Sequence, residues 1–296
     1  MGNLVKIISF VVVISIISSI ELSGQTDSLL LYPARNLIFP KIKVEIVKKS
    51  GEYSFNYTLE NVQGASQRIH RFMIELNASV KPISAPFDWT FWDRNYDTID
   101  IAVWFSADSI ADIDAGEVVS DFGIKSAGLP SINRCWFRAW ETVKGEEGQY
   151  DPATASIFMT SLQKSTIGPS TPPIPFMHLA FLDTLLSYSR QSVQLGWLKE
   201  KRDDDCDEDE QPHDGVAKNI EKRIEKAKRE LIQGDSAKAR KELEKLVKKV
   251  EKIYEKSEKT EKKKRESEIT MSSEAYALLK YNTEYLIERL PEKGRK

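Results

Sequence analysis

The chain has 296 residues, with 43 Lys and Arg against 45 Asp and Glu for a formal charge of −2. That near-balance argues against nucleic acid or another polyanion as partner of the whole chain. About 270 residues remain beyond an N-terminal signal, enough for one large or two ordinary domains with hydrophobic cores.

Residues 1–24 read as a signal peptide. Lys6 is the only cation, Ile7 to Ile20 is an apolar run broken only by serines, and Glu21, Leu22, Ser23 and Gly24 follow. The run falls short of the roughly 20 residues a membrane-spanning helix needs, so removal near Gly24 is expected, with an uncleaved anchor as the alternative. Gln25 stands where a lipoprotein anchor needs cysteine. No later segment is apolar enough to span a bilayer, which places the mature chain outside the cytoplasm: secreted, periplasmic or at the cell surface. In that oxidising setting Cys135 and Cys206 form one disulfide or stay apart, and spacing alone leaves both open.

Residues 28–166 read as a β-sandwich domain. Lys41 to Val47 alternates, Ser50-Gly51 turns, and Tyr53, Phe55, Tyr57 and Leu59 then share one strand face. Further strand patterns cover Arg68 to Leu76, Thr98 to Phe105, Val118 to Ile124 and Cys135 to Val143. Short strands with frequent turns and no helical period between them favour an antiparallel sandwich over a parallel sheet. Gly116 and Gly128 are expected at positive φ in turns, where a β carbon would clash.

Within this stretch Asn61, Ser66, Ile69, Phe72 and Ile74 form an N-x4-S-x2-I-x2-F-x-I pattern, followed by Pro86-Phe87-Asp88-Trp89. Ile113-Asp114-Ala115-Gly116 then leads to Phe122 and to Ser126-Ala127-Gly128-Leu129-Pro130. Over residues 42–143 this order resembles the immunoglobulin-like sandwich of many secreted bacterial proteins, and the resemblance implies that fold.

Trp89, Trp92, Trp104, Trp136 and Trp140 either fill the sandwich or form a platform for sugar rings, and burial is the commoner use of large aromatics. Trp136 and Trp140 lie four apart on one strand, and Arg134 and Arg138 share their face. Those four residues are the candidate ligand-binding surface, since aromatic and Arg side chains together favour recognition.

Residues 167–175 carry four prolines and read as an extended linker. Residues 176–296 then read as a helical domain interrupted by an acidic loop at 203–210. Leu179, Leu182, Leu186, Val193 and Trp197 recur with helical spacing; Val216, Ile220, Ile224, Ala227 and Leu231 form a second stripe, and Ala239, Leu243, Leu246, Val250 and Ile253 a third. Gly234-Asp235 ends one helix and caps the next, predicting an antiparallel hairpin. A last helix runs from Ser273 to Leu290 with Tyr276, Leu279, Tyr285, Leu286 and Leu290 inward. From Asp214 onward 24 Lys and Arg face 17 Asp and Glu, but the signs interleave as on a solvated helix surface. The stretch Ala227 to Leu246, with Ser273-Glu274-Ala275-Tyr276-Ala277-Leu278-Leu279, resembles the FIMAH domain of bacterial surface and secreted proteins. That resemblance implies an accessory module for contact or spacing, with no catalytic residues.

His70, His178 and His213 are expected on a strand, a helix start and a loop. No metal trio or Ser-His-Asp set follows, so no catalytic residue, metal ligand or cofactor is assigned. The acidic loop lacks the glycine and distal glutamate of a calcium loop. The expected architecture is β plus α: an antiparallel immunoglobulin-like β-sandwich followed by a small antiparallel helical bundle, as two separate globules. The expected function is a non-catalytic exported interaction or structural module whose partner is a cell-surface polysaccharide or another surface protein. Two alternatives stand beside it. One is a polysaccharide-binding protein using Trp136, Trp140, Arg134 and Arg138; the other is a hydrolase using Asp residues within 89–97, which requires two carboxylates converging in a pocket.

Overall fold

The computed structural model describes residues 32–33, 37–96, 98–139, 147–148, 161–200, 215–262 and 269–291. Residues 1–24, which read as a signal, together with Trp140, His213 and the acidic run 203–210 with Cys206, lie outside the described residues. Alternating sequence builds the strands β1 (Pro40–Lys49), β2 (Glu52–Asn61), β3 (Ile69–Leu76), β4 (Lys81–Ser84), β5 (Trp89–Tyr96), β6 (Ile99–Ser106), β7 (Val118–Ser126), β8 (Leu129–Ala139) and β9 (Leu162–Ser170). They form two antiparallel sheets, ordered β1-β2-β7-β4 and β9-β8-β3-β6-β5. This is the immunoglobulin arrangement of an A-B-E-D sheet facing a G-F-C sheet, with the β5–β6 hairpin widening the second. One difference in chain order stands out: the edge strand β4 precedes the hairpin.

The faces follow the alternation. Tyr53, Phe55, Tyr57 and Leu59 are buried as their spacing predicts. The Tyr57 ring meets the other sheet, 5.7 Å from Phe72 and 6.0 Å from Trp104 between ring centroids. Gly116 adopts φ 84° as expected, but Gly128 does not lie at positive φ. It is glycine for a different reason: a β carbon there would sit 2.6 Å from Ala78 Cβ.

The proline segment starts later than its composition suggests. Residues 167–170 are the end of β9, paired through Ser170↔Leu129. β9 is an edge strand, which tolerates a proline because one row of its backbone groups needs no ladder partner. Only residues 171–177 connect the sandwich to the helices α1 (His178–Gln194), α2 (Val216–Ile232), α3 (Ser236–Lys262) and α4 (Ser273–Arg289).

Contacts of α1 with α2, α2 with α3, α3 with α4 and α4 with α1 close a four-helix bundle. At the α2–α3 corner Gly234 takes φ 80°, the Asp235 N–H donates to Glu230 O (2.8 Å), and Asp235 Oδ1 accepts from Lys238 N–H (2.9 Å). On α1 the buried stripe is Phe181, Leu182, Leu185, Leu186, Ser189 and Ser192, while Leu179 and Val193, read as inward, are exposed. Phe181 turns the helix this way, because its ring contacts Phe176 and Tyr285 at 5.1 and 5.8 Å. A two-stranded ribbon, β10 (Leu198–Glu200) with β11 (Ile269–Met271), ties the end of α1 to the start of α4.

The two parts do not hold separate cores. α4 lies against β1, β8 and β9 and so covers the side of the sandwich where β1 and β9 are sheet edges. Glu274 Oε1 accepts from Val44 N–H (3.0 Å), Tyr281 Oη donates to Ile46 O (3.0 Å), and Asn282 Nδ2 donates to Pro130 O (2.9 Å). One buried apolar cluster runs from Phe72 and Trp104 through Ile46 and Tyr281 to Leu243 and Ile224. α4 is therefore buried nearly all round, since it faces the sheets on one side and the bundle on the other.

Glu242, also buried, fastens α2 to α3 by meeting Arg223 (3.3 Å), Lys226 (3.1 Å) and Lys245 (2.8 Å). The Lys245 hydrogen bond holds its carboxyl below the ordinary 4.5, with Lys226 adding to that against the opposing effect of burial. A folded value below the unfolded one means this contribution is complete above about pH 4.5 and is lost as pH falls through the folded value. Glu242→Gln is expected to lower stability at neutral pH by about 1–2 kcal/mol and to flatten the acid limb of the stability curve. Urea titrations across the acid range check this, and an unchanged acid limb would remove Glu242 from the account.

Candidate functional site

The outward face of the five-stranded sheet follows from register. Arg71↔Arg138 and Met73↔Trp136 pair across β3 and β8, Arg71↔Phe105 and Met73↔Val103 across β3 and β6, and Trp92↔Val103 across β5 and β6. Arg134, Trp136 and Arg138 do lie on one strand face, and the structure adds Trp92 and Arg94 to it. Trp136 is not an open platform, however. It is 2 % exposed, in a second apolar cluster with Met73, Ile101 and Val103, and Arg138 is 5 % exposed.

Arg134 is also committed. Its Nε and Nη2 donate to Glu75 Oε2 and Oε1 at 3.0 and 2.9 Å, and its guanidinium lies 5.4 Å from the Trp136 ring. That hydrogen-bonded fork holds the Glu75 carboxyl below the usual carboxylate range. The aromatic that does reach solvent is Trp92, 43 % exposed, with Arg94 4.1 Å over its ring and Phe105 at 4.3 Å.

Arg94 also borders a groove of about 690 Å³ between the β5–β6 hairpin and the segment joining β3 to β4. Asp93, Asn95, Thr98 and Asp100 line the hairpin side, and Asn77 and Thr171 the other. Backbone bonds fix the second wall, with Asn77 N–H donating to Pro169 O (3.2 Å) and Thr171 N–H to Asn77 O (2.8 Å). On the first, Asn95 Nδ2 donates to Asp100 Oδ1 (2.9 Å) and Thr98 holds φ 79°, a left-handed conformation that β-branched residues seldom adopt.

The hydrolase alternative required carboxylates in a pocket, and Glu75, Asp93 and Asp100 do line this one. Glu75 is clamped by Arg134 and Asp100 takes the Asn95 amide, so neither is poised as an acid or base. Among the described residues no three His, Cys, Asp or Glu side chains are placed to hold a metal ion.

A further cluster escaped the sequence. His70 sits in β3 where the pairing with β8 slips between Ile69 and Arg71, a bulge that re-aims the side chain. Its Nδ1 lies 2.7 Å from Ser106 Oγ and 3.0 Å from Asp112 Oδ1, and Ser106 Oγ donates to the same carboxylate oxygen. An ionised carboxylate only accepts, so the Ser106 proton goes to Asp112 and His70 carries hydrogen on Nδ1. A nucleophilic serine needs the opposite arrangement, with serine and aspartate on different ring nitrogens. Both Ser106 and Asp112 are buried, so this is a structural network. Its members lie 36 and 42 positions from His70, joined only through folding. His178 Nε2 lies 2.9 Å from Arg289 O at the bundle end, distant in sequence from either cluster.

Cys135 faces the core, where burial pushes its thiol up to about 12. Its proposed partner Cys206 lies outside the described residues. No helix among those residues is long and apolar enough to cross a membrane.

Fold and site together define an antiparallel β-sandwich of immunoglobulin-like topology with a four-helix bundle fused to one edge and a polar groove beside the sheet hairpin. No protein-family model and no curated protein matches the sequence. Among solved structures, an uncharacterized protein from Nocardia farcinica with an immunoglobulin-like fold is similar over 44% of this chain and 97% of that chain, at 10% identity and a TM-score of 0.27. At that score the likeness carries no argument, and the fold rests on the strand order above.

Proposed function

We propose that the chain is an exported, non-catalytic interaction module in which the sandwich offers the contact surface and the bundle acts as a FIMAH-like spacer. The observation that carries the reading is the groove beside the sheet hairpin, whose Asp93 and Arg94 side chains have no hydrogen bond to any other described residue. By contrast, the groups able to do chemistry are engaged: Glu75 with Arg134, Asp100 with Asn95, and Ser106 with a buried carboxylate. The apolar leader supports export, and the rigid attachment of the bundle to the sandwich supports a spacer that holds the groove in a set direction.

Expression of the full chain with a C-terminal epitope in a bacterial host tests export. The expected product is shortened near Gly24 and found outside the cytoplasm; a full-mass cytoplasmic product would overturn export. Turnover is tested with ester and glycoside substrates. Any hydrolysis that Asp93→Asn abolishes would replace this reading with the hydrolase one.

A further inference from the structure

We propose that the groove between the β5–β6 hairpin and residues 77–80 binds a short neutral saccharide, an assignment that rests on the interaction-module reading and gives it a ligand class. Its volume of about 690 Å³ falls inside the range of roughly 300–1,000 Å³ typical of small-ligand sites.

The lining chooses the chemistry by elimination. An anion needs surplus cations, but among the described residues Arg94 is the one basic side chain in the lining, against Glu75, Asp93 and Asp100. A metal ion needs converging ligands, and the carboxylates here are not so placed. Glu75 is paired with Arg134 and Arg94 offsets one more carboxylate, while the Asn95 amide is neutral and leaves Asp100 its charge. One net negative charge among the described lining residues is too little to select a multiply charged cation. An apolar ligand meets the wrong wall, because charged, amide and hydroxyl groups dominate the lining.

What remains is a neutral molecule whose groups both donate and accept. Asp93 accepts, Arg94 donates through a planar fork, and Asn77, Ser79, Thr98 and Thr171 do both. Asp93 and Arg94 are successive residues of β5 and point to opposite faces, so each meets a different hydroxyl of a saccharide rather than one adjacent pair. Ile99 within the groove offers apolar surface for the C–H face of the ring. The fixed backbone of Asn77 and Thr171 keeps the far wall in place before binding, which lowers the ordering cost.

Calorimetric titration of the full chain with cellobiose, xylobiose, maltotriose, mannobiose and chitobiose tests the assignment. At least one is expected to bind with millimolar or tighter affinity. Asp93→Ala and Arg94→Ala are each expected to weaken it about tenfold or more, the effect of losing one charge-assisted hydrogen bond. Both side chains are exposed, so melting curves should match the parent, and a distant Lys199→Ala should bind as the parent does. Heat from none of the saccharides, binding undiminished by both groove variants, or equal competition by lysine or citrate would each overturn the saccharide assignment. None of these results bears on export or turnover, so the two readings fail separately.

Discussion

Trp104→Ala is expected to lower the unfolding free energy by about 3–5 kcal/mol, and to move the melting of the helices together with that of the sheets. The indole is fully buried and joins the two sheets, stacked on Phe72 at 5.4 Å and edge-on to Phe91 at 5.1 Å and Phe122 at 6.1 Å. Removing it opens a cavity that four aromatic neighbours, Tyr57 included, cannot all collapse into. Trp104→Phe should cost much less. It keeps most of the ring contacts and removes an indole N–H that has no hydrogen-bond partner.

The coupling to the helices follows from the continuous core through Ile46 and Tyr281. Urea unfolding followed at once by helical circular dichroism and by the near-ultraviolet aromatic signal should give coincident curves at a lower midpoint. A helical signal that keeps its parental midpoint while the aromatic signal shifts would show two independent units and defeat the shared-core account.

Local patterns were legible where one chemical rule acts alone. In β2 the buried set Tyr53, Phe55, Tyr57 and Leu59 is a plain alternation, and at Gly234-Asp235 one dipeptide both ends and caps a helix. The hairpin strand β5 was hidden because Trp89 and Phe91 point in while Trp92, an equally large aromatic, points out. Strand β9 was hidden because Gly168-Pro169 has the composition of a linker, and only its edge position makes it a strand.

The candidate site divides the same way. Spacing placed Arg134, Trp136 and Arg138 on one face, since strand geometry alone decides that. It gave no signal that Trp136 is closed over, that Arg134 is held by Glu75 from 59 residues away, or that Asn77 would face Asp93 across a groove. Those depend on non-local pairing, which no short window contains. The same holds for α4, whose all-round burial reflects two partners and reads in sequence as an ordinary amphipathic helix.

The His70 network gives the second large effect. His70→Phe is expected to cost about 2–3 kcal/mol, because it removes one of the two donors to an Asp112 carboxylate that no water reaches. That side chain has no solvent exposure, and its Oδ2 already lacks a partner, so Oδ1 with His70 and Ser106 supplies all its compensation. The position is constrained from both sides: the bulge at Ile69–Arg71 aims the ring, and the Ile69–Ile113 backbone bonds bring Asp112 to it. Asp112→Asn keeps the shape while removing the charge, so once it is in place the loss of His70 should matter less. The double variant is therefore expected to cost less than the sum of the singles by about 1–3 kcal/mol. A double-mutant cycle from urea titrations reads this directly. Additive costs would mean that the two side chains are neighbours without interaction, and that Asp112 is stabilised by Ser106 alone.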